Sequence, residues 1–256
     1  MFAHPRICVN SICSMKQSLH EDLELWQGLG IRHIGLIAPK LEAAGWEEGR
    51  KAVEASSLEV ATMSAYRHEM AESLPFTAAV GCDILYTVSG GGGGALWEEA
   101  AERFCHDMAP LIAQARELGV RLALEPTNPL RSDSSFVHTV RDAIALARMS
   151  GIGVVVDFYS AWYERGLEDL LGNNVDIIAL VQISDYKLGT VDMPNRCAIG
   201  DGDIPVERLL AITLDAGYEG PFDLEILGPR IEEEGYRGPI VRSVERASAI
   251  LERLGA

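Results

Sequence analysis

The chain has few basic residues, few histidines and no long apolar run. Its 256 residues include 22 Lys and Arg against 38 Asp and Glu, a formal net charge of −16. A protein with so much negative charge repels the phosphate backbone of nucleic acids, so we do not expect it to bind nucleic acid. No stretch reaches the roughly 18 consecutive apolar residues of a membrane helix, and the N-terminus lacks the apolar core of a secretory signal. We therefore expect a cytosolic protein that does not enter the membrane.

The cysteines show no pairing pattern. There are five, an odd number, and their spacing matches no zinc finger. Such a set favours free thiols in a reducing compartment, which agrees with a cytosolic location.

The chain does contain eight apolar segments, each followed by a helical pattern. A hydrophobic fraction of 48% fits a sizeable core. Continuous apolar strands that alternate with helices are typical of a parallel sheet covered on its faces. Eight such units in about 250 residues predict one α/β domain over residues 1–256, a closed (β/α)₈ or TIM barrel, with an open doubly wound sheet as the alternative. The predicted strands are 7–12, 33–39, 58–65, 82–90, 120–125, 153–159, 177–185 and 221–227, and the helices 17–29, 41–55, 74–80, 95–118, 136–149, 162–171, 205–216 and 240–254.

A carboxylate stands at the end of the fifth predicted strand. Glu125 follows the apolar run of that strand, and Pro126 cannot continue a strand ladder. Burying a carboxylate is costly unless a cation or a polar ligand accompanies it. Glu125 is therefore a candidate site residue.

The next three strands also end in oxygen-bearing side chains. These are Asp157 on strand six, Gln182 and Asp185 on strand seven, and Glu225 on strand eight. Reactive groups of TIM barrels lie at the C-terminal ends of the strands, so these side chains should meet at one mouth. Converging carboxylates repel each other unless a cation lies between them. Such hard oxygen ligands suit Mg²⁺ or Mn²⁺, with Co²⁺ as a further candidate.

These segments resemble the xylose-isomerase-like barrel superfamily of sugar and sugar-phosphate isomerases and epimerases, which also contains hydroxypyruvate isomerase, inosose dehydratase and endonuclease IV. The resemblance covers essentially the whole chain and is carried by LALEPTN, VVVDFY, VQISD, RCAIGDGDIP and FDLEIL. It implies that Glu125 and Glu225 bind a divalent metal and also act as an acid/base pair. It implies two further metal ligands, Asp157 and Gln182. Related barrels are often dimers or tetramers, so the resemblance allows a homo-oligomer.

The resemblance also points to residues that contact substrate. Arg196 matches an arginine that precedes a Gly-x-Gly loop, and a guanidinium there can hold a substrate oxygen or carboxylate. His68 matches a position where members often present a histidine. Asp185 and Ser160 are expected to face substrate as well. Arg131 beside Arg196 hints at an anionic substrate.

Three positions depart from the family pattern. Gln182 replaces the usual His, as in the hydroxypyruvate isomerase branch, and an amide oxygen remains a hard ligand. Ser160 stands where a His is frequent, and Arg131 where many epimerases carry Glu. Both of these last changes touch positions that face substrate, so the resemblance does not carry over a particular sugar.

The function predicted from these residues is a metal-dependent isomerase or epimerase of a small polyhydroxylated carbonyl compound. Such an enzyme would work through an enediolate intermediate. A dehydratase of the inosose or dehydroshikimate type is the first alternative, because the same enediolate can expel a β-hydroxyl group. A non-catalytic barrel is another, suggested by the departures at Ser160 and Gln182. A phosphodiesterase of the endonuclease IV type is disfavoured, because it needs several extra histidines and this acidic chain has only 6.

Overall fold

Eight parallel strands form a closed barrel in a computed structural model that describes residues 3–256. Each strand pairs with its neighbours in chain order, and β1 closes the barrel against β8. Closure confirms the predicted TIM barrel and rules out the open sheet, which would leave two unpaired edges. The strands are β1 Ile7–Asn10, β2 His33–Ile37, β3 Glu59–Ser64, β4 Ile84–Val88, β5 Arg121–Glu125, β6 Gly153–Asp157, β7 Ile178–Ile183 and β8 Phe222–Leu224.

Helices lie between the strands in chain order and pack on the outside of the barrel. Within residues 3–256, none of them is long and apolar enough to cross a bilayer. The helices are α1 Leu19–Leu29, α2 Ala38–Ala44, α3 Trp46–Ala55, α4 Met70–Ala79, α5 Trp97–Glu117, α6 Val140–Ser150, α7 Phe158–Ala161, α8 Leu167–Asn174, α9 Val206–Asp215, α10 Pro229–Glu234 and α11 Arg237–Leu254.

Side-chain caps decide where two of the predicted helices begin. Ser18 and Glu21 form a capping box at the start of α1, with each side chain accepting a backbone N–H of the other residue. Thr139 caps α6 by accepting from the backbone N–H of Asp142. The helix predicted from Phe136 therefore starts four residues later, at Val140.

Two predicted helices differ from the structure, one by a break and one by a later start. The helix predicted over 41–55 breaks at Gly45, whose φ of 81° is readily adopted by glycine. Its first half starts at Ala38 and takes in Pro39, because proline is accepted in the first helical turn. The helix predicted over 162–171 starts later, as α8 at Leu167 after Gly166 at φ 76°, and the short α7 lies before the predicted range. The prediction of a single helix was wrong over 41–55, and the predicted start was wrong for the helix over 162–171.

The barrel interior has an apolar floor beneath a polar layer. Ile84, Ala123, Val155 and Leu180 belong to one buried cluster. Residues two positions apart in a strand face the same side, so the following interior position on each of these strands lies one layer nearer the mouth. That layer holds Tyr86, Glu125, Asp157 and Gln182.

Candidate active site

Four of the predicted site residues lie at the same end of consecutive strands. Glu125 and Asp157 are the last residues of β5 and β6, and Gln182 pairs with Asp157 in the register of β7. Glu225 directly follows β8. Glu125 and Glu225 line a pocket of about 220 Å³ at the barrel mouth. Asp157 and Gln182 are fully buried.

Arg196 lies among these carboxylates. Its Nη2 is 3.0 Å from Oδ2 of Asp157 and its Nη1 is 3.3 Å from Oδ1, a two-bond ion pair. Nη2 is also 3.5 Å from Oε1 of Glu225, and the guanidinium lies 4.4 Å above the ring of Tyr159. Arginine and both carboxylates are buried, so each charge depends on the others for compensation.

Asp185 holds the loop that carries Arg196. Its carboxylate accepts backbone N–H groups of Gly200 at 2.8 Å, Gly202 at 3.0 Å and Ile204 at 3.0 Å. A side chain at Gly202 would collide with this carboxylate, which explains the second glycine of the Gly-x-Gly motif. Asp185 does not line the pocket. The structure therefore shows it fixing the loop, and not making the predicted contact with substrate.

The other predicted substrate contacts divide into two groups. Ser160 and Arg131 line the pocket, and Arg131 is paired with Asp133 at 3.0 Å. His68 instead borders a neighbouring groove and stacks on Tyr66 with ring centroids 5.9 Å apart. The structure therefore places His68 beside the central pocket and not within it.

Tyr86 was missed by the sequence analysis, although it lines the pocket. Its hydroxyl oxygen accepts hydrogen bonds from Nε2 of Gln182 at 3.2 Å and from Nδ2 of Asn10 at 3.1 Å. The sequence signal that could have found it is its position in the strand predicted over 82–90. Side chains alternate between the two faces of a strand, so Tyr86 faces the same side as Ile84 and lies in the layer of the other site residues.

Both pocket glutamates hold protons more tightly than usual. Burial raises the pKa of Glu125 well above its ordinary value, and the charges of Glu225 and Asp157 raise it further. Burial also raises the pKa of Glu225 to about 7, with Arg196 acting in the opposite direction and Asp157 in the same one. Ionising both glutamates would place more negative charge in the site than its one arginine balances, so both carboxyl groups retain their protons to higher pH than usual.

These pKa values predict that the protein loses stability as pH rises from about 5 to 7.5 when a chelator has removed metal. Unfolded glutamate titrates near ~4.3, so within this window the native state retains protons that the unfolded chain has lost, and the free energy of unfolding falls. We expect the Tm to drop by about 5 °C. Scanning calorimetry in EDTA measures this, and Glu225→Gln should show a shallower slope. A Tm that rises through the window would contradict the prediction.

The oxygens at this site suit a divalent cation. Oε1 of Gln182 and Oε2 of Glu225 are buried without a hydrogen-bond partner, and amide and carboxylate oxygens are hard ligands. Asp157 is engaged by Arg196, and within residues 3–256 no three His, Cys, Asp or Glu side chains stand ready around a metal position. The side chains that could hold a cation here are Glu125, Gln182 and Glu225, while Asp157 is paired with Arg196.

The chain belongs to the xylose isomerase-like TIM barrel family, whose model matches residues 23–246. A curated relative, 3-dehydroshikimate dehydratase from Pseudomonas aeruginosa, is 26% identical over 173 residues. The match covers 64% of this chain but only 26% of that relative, so the chain spans about a quarter of the relative's length.

Two solved structures share the barrel over nearly their whole length. IolI with a bound zinc atom is 16% identical, with 97% of this chain and 99% of that chain covered and a TM-score of 0.80. The 3-keto-D-glucoside 4-epimerase YcjR from E. coli is 17% identical, with 92% and 97% covered and a TM-score of 0.72. At these identities, the likeness shows the fold alone.

Proposed function

We propose that this chain is a divalent-metal-dependent isomerase or epimerase that moves a proton next to the carbonyl group of a small substrate. The observation that carries the proposal is that two glutamates with raised pKa values, Glu125 and Glu225, line the same pocket. A carboxylate whose pKa lies near the working pH can both accept and return a proton. Among the proteins to which the chain is similar, one is named an epimerase and one a dehydratase.

The residues of the pocket suit such a proton transfer. One glutamate would take the proton α to the carbonyl and leave an enediolate. In epimerisation the other would return a proton to the same carbon from the opposite face; in isomerisation it would protonate the former carbonyl carbon, while the α-hydroxyl proton passes to the former carbonyl oxygen. Arg196 faces the same pocket and can hold a substrate oxygen through its guanidinium. A bound divalent ion would supply a positive charge that polarises the carbonyl group.

The metal in this proposal is Mn²⁺ or Mg²⁺, with Co²⁺ as a further candidate. The ligands would be Glu125, Gln182 and Glu225, with Asp157 as the fourth. Support comes from the unpartnered oxygens of this site and from the zinc atom bound in the IolI structure. An all-oxygen ligand set favours the harder ions over zinc.

The pocket walls narrow the class of substrate. Apolar side chains from the segments after β7, β8 and β1 and around the end of β2 line the pocket beside Arg196 and Glu225, whereas the segment after β5 presents Thr127, Asn128, Arg131 and Ser134. Hydroxyl groups against the apolar walls would lose hydrogen bonds to water without replacement. We therefore favour a keto acid or a cyclic keto acid, with its anionic edge toward Arg131, over a fully hydroxylated sugar. The apolar residues are Ile12, Met15, Ile37, Pro39, Met193 and Leu227.

The test is a panel of ketoses, keto acids and cyclitols incubated with Mn²⁺ in D₂O and followed by NMR. We expect turnover of a carboxylated member, deuterium at the carbon α to its carbonyl group, and loss of both signals after chelation. Turnover that never exchanges this hydrogen with solvent would refute the enediolate route. Full turnover after chelation would refute the proposed requirement for a metal ion.

Dehydration is the second candidate reaction, and the dehydroshikimate dehydratase relative favours it. The same α-carbanion can expel a hydroxyl group on the β carbon, with water as the second product. Product mass separates the two reactions, because dehydration removes one water and isomerisation leaves the mass unchanged.

A further inference from the structure

A groove of about 390 Å³ opens beside the candidate pocket, between the segments that follow β5, β6 and β7. Three residues line both the pocket and the groove, namely Asn128, Tyr159 and Met193. Each of them comes from a different one of these segments, so the pocket and the groove meet along a shared boundary. The groove is therefore an outward extension of the pocket and not a separate depression of the surface.

Neighbouring residues on these segments divide between the pocket and the groove. After β5, Arg131 lines the pocket, and Leu130, one residue earlier, lines the groove. After β6, Ser160 lines the pocket, and Trp162 and Tyr163 line the groove. A ligand whose anionic end lies near Arg131 therefore has the groove directly beside it.

The side chains of the groove are mainly apolar and aromatic. Within residues 3–256, nine large hydrophobic side chains are well exposed, and four of these line the groove. They are Leu130, Tyr163, Leu188 and Val191. Exposed apolar side chains that gather at one place mark a binding surface. Asp192 is the only charged residue among the described residues that line the groove, so a second anionic group would be repelled there, and the occupant is neutral and apolar.

Two tyrosines give the groove a pre-formed aromatic surface. The guanidinium of Arg196 lies 4.4 Å from the ring centroid of Tyr159, and the rings of Tyr159 and Tyr186 meet edge to face with centroids 5.7 Å apart. The hydroxyl group of Tyr186 donates to the carbonyl oxygen of Thr190 at 2.6 Å, which ties the loop after β7 to this surface. Aromatic side chains pair well with a further flat ring, and a surface that is already ordered loses little entropy on binding.

We propose that the groove binds a neutral aromatic ring at the far end of the substrate, which makes the substrate an aryl-substituted keto acid. The inference rests on the proposed function, since it concerns the substrate of the same pocket. The pocket alone holds about 220 Å³, less than the roughly 300–1,000 Å³ of sites that take drug-sized ligands, and the groove supplies the missing space. A ring is favoured over a second sugar because the aliphatic side chains here offer hydroxyl groups no hydrogen bonds.

The experiment compares keto acids with and without a phenyl ring by titration calorimetry in the presence of Mn²⁺. The probes are 2-oxobutanoate and 2-oxo-4-phenylbutanoate, together with 2-oxopentanoate and 2-oxo-5-phenylpentanoate, so that two linker lengths are covered. We expect the ring to lower the Kd about 10- to 100-fold in at least one pair, as burying an aromatic side chain would. The ratio of the two Kd values within a pair measures the contribution of the ring.

Leu188→Asp tests whether the ring lies in the groove. We expect this variant to reduce the ratio at least about threefold, because the ring would cover the new carboxylate and remove it from water. Leu96→Asp is the matched control and should keep the ratio: Leu96 is 71% exposed against 59% for Leu188, and it lines neither the pocket nor the groove. Thermal midpoints show that both variants are folded during the titration.

Equal Kd values within both pairs would overturn the proposal, and so would an unchanged ratio in Leu188→Asp. Sedimentation tests the other occupant: a dimer of the natural chain that becomes a monomer in Leu188→Asp would assign the groove to a second copy and overturn the aromatic ligand. Deuterium exchange at C3 of the same acids in D₂O separates this inference from the proposed function. Exchange without a preference for the ring refutes the groove alone, whereas a preference without exchange keeps the groove and refutes proton transfer on these acids.

Discussion

Glu125→Gln and Glu225→Gln are each expected to lower kcat at least about 10³-fold. An amide of the same shape can neither accept the α-proton nor return one. Each change also replaces a charged ligand by a neutral one at a site where Oε2 of Glu225 has no other partner. The affinity for Mn²⁺ should therefore fall together with turnover. The fall should be larger than the one caused by removing the neutral ligand Gln182.

Steady-state kinetics and Mn²⁺ titration of both variants check this expectation. Glu102→Gln is the matched control, because Glu102 is exposed on α5 and does not line the pocket. Variants that keep Mn²⁺ affinity but lose turnover would limit the glutamates to proton transfer. Full metal retention together with full activity in both variants would refute the site.

Arg196→Met is expected to lower the Tm of the chelated protein by about 10 °C. The change removes the cation that lies 3.0 Å from Asp157 and 3.5 Å from Glu225, both of which are buried. Removing one partner of a buried ion pair costs about 3–5 kcal/mol, since the remaining charge is left without compensation. In a chain of this size, 1 kcal/mol shifts the Tm by about 2–4 °C.

Added Mn²⁺ should recover part of this loss, because a bound ion supplies positive charge to the same carboxylates. Scanning calorimetry with and without Mn²⁺ measures both effects. Arg253→Met is the control: Arg253 pairs with Glu207 at 3.0 Å, but both side chains are more than half exposed. An exposed pair contributes about 0–1 kcal/mol. Equal losses at Arg196 and Arg253 would contradict the compensating role of Arg196.

The barrel and the strand-end positions of its site follow from local features of the sequence. Apolar strands alternating with helices predict parallel strands in chain order, and such strands bring their C-terminal ends to one mouth. Glu125, Asp157, Gln182 and Glu225 could thus be placed together from their positions alone. Helix ends were less predictable, because caps such as Thr139 and breaks such as Gly45 act through single residues.

The contacts that decide what these residues can do were settled by the tertiary structure. Arg196 and Asp157 are 39 residues apart, and Asn10 meets Tyr86 over 76 residues. No local pattern encodes such pairs, because they depend on which side chains face each other across a closed interior. The sequence alone determined a barrel with carboxylates at its mouth. Only the closed barrel showed that Arg196 pairs with Asp157 and that the Gln182 amide is hydrogen-bonded to Tyr86.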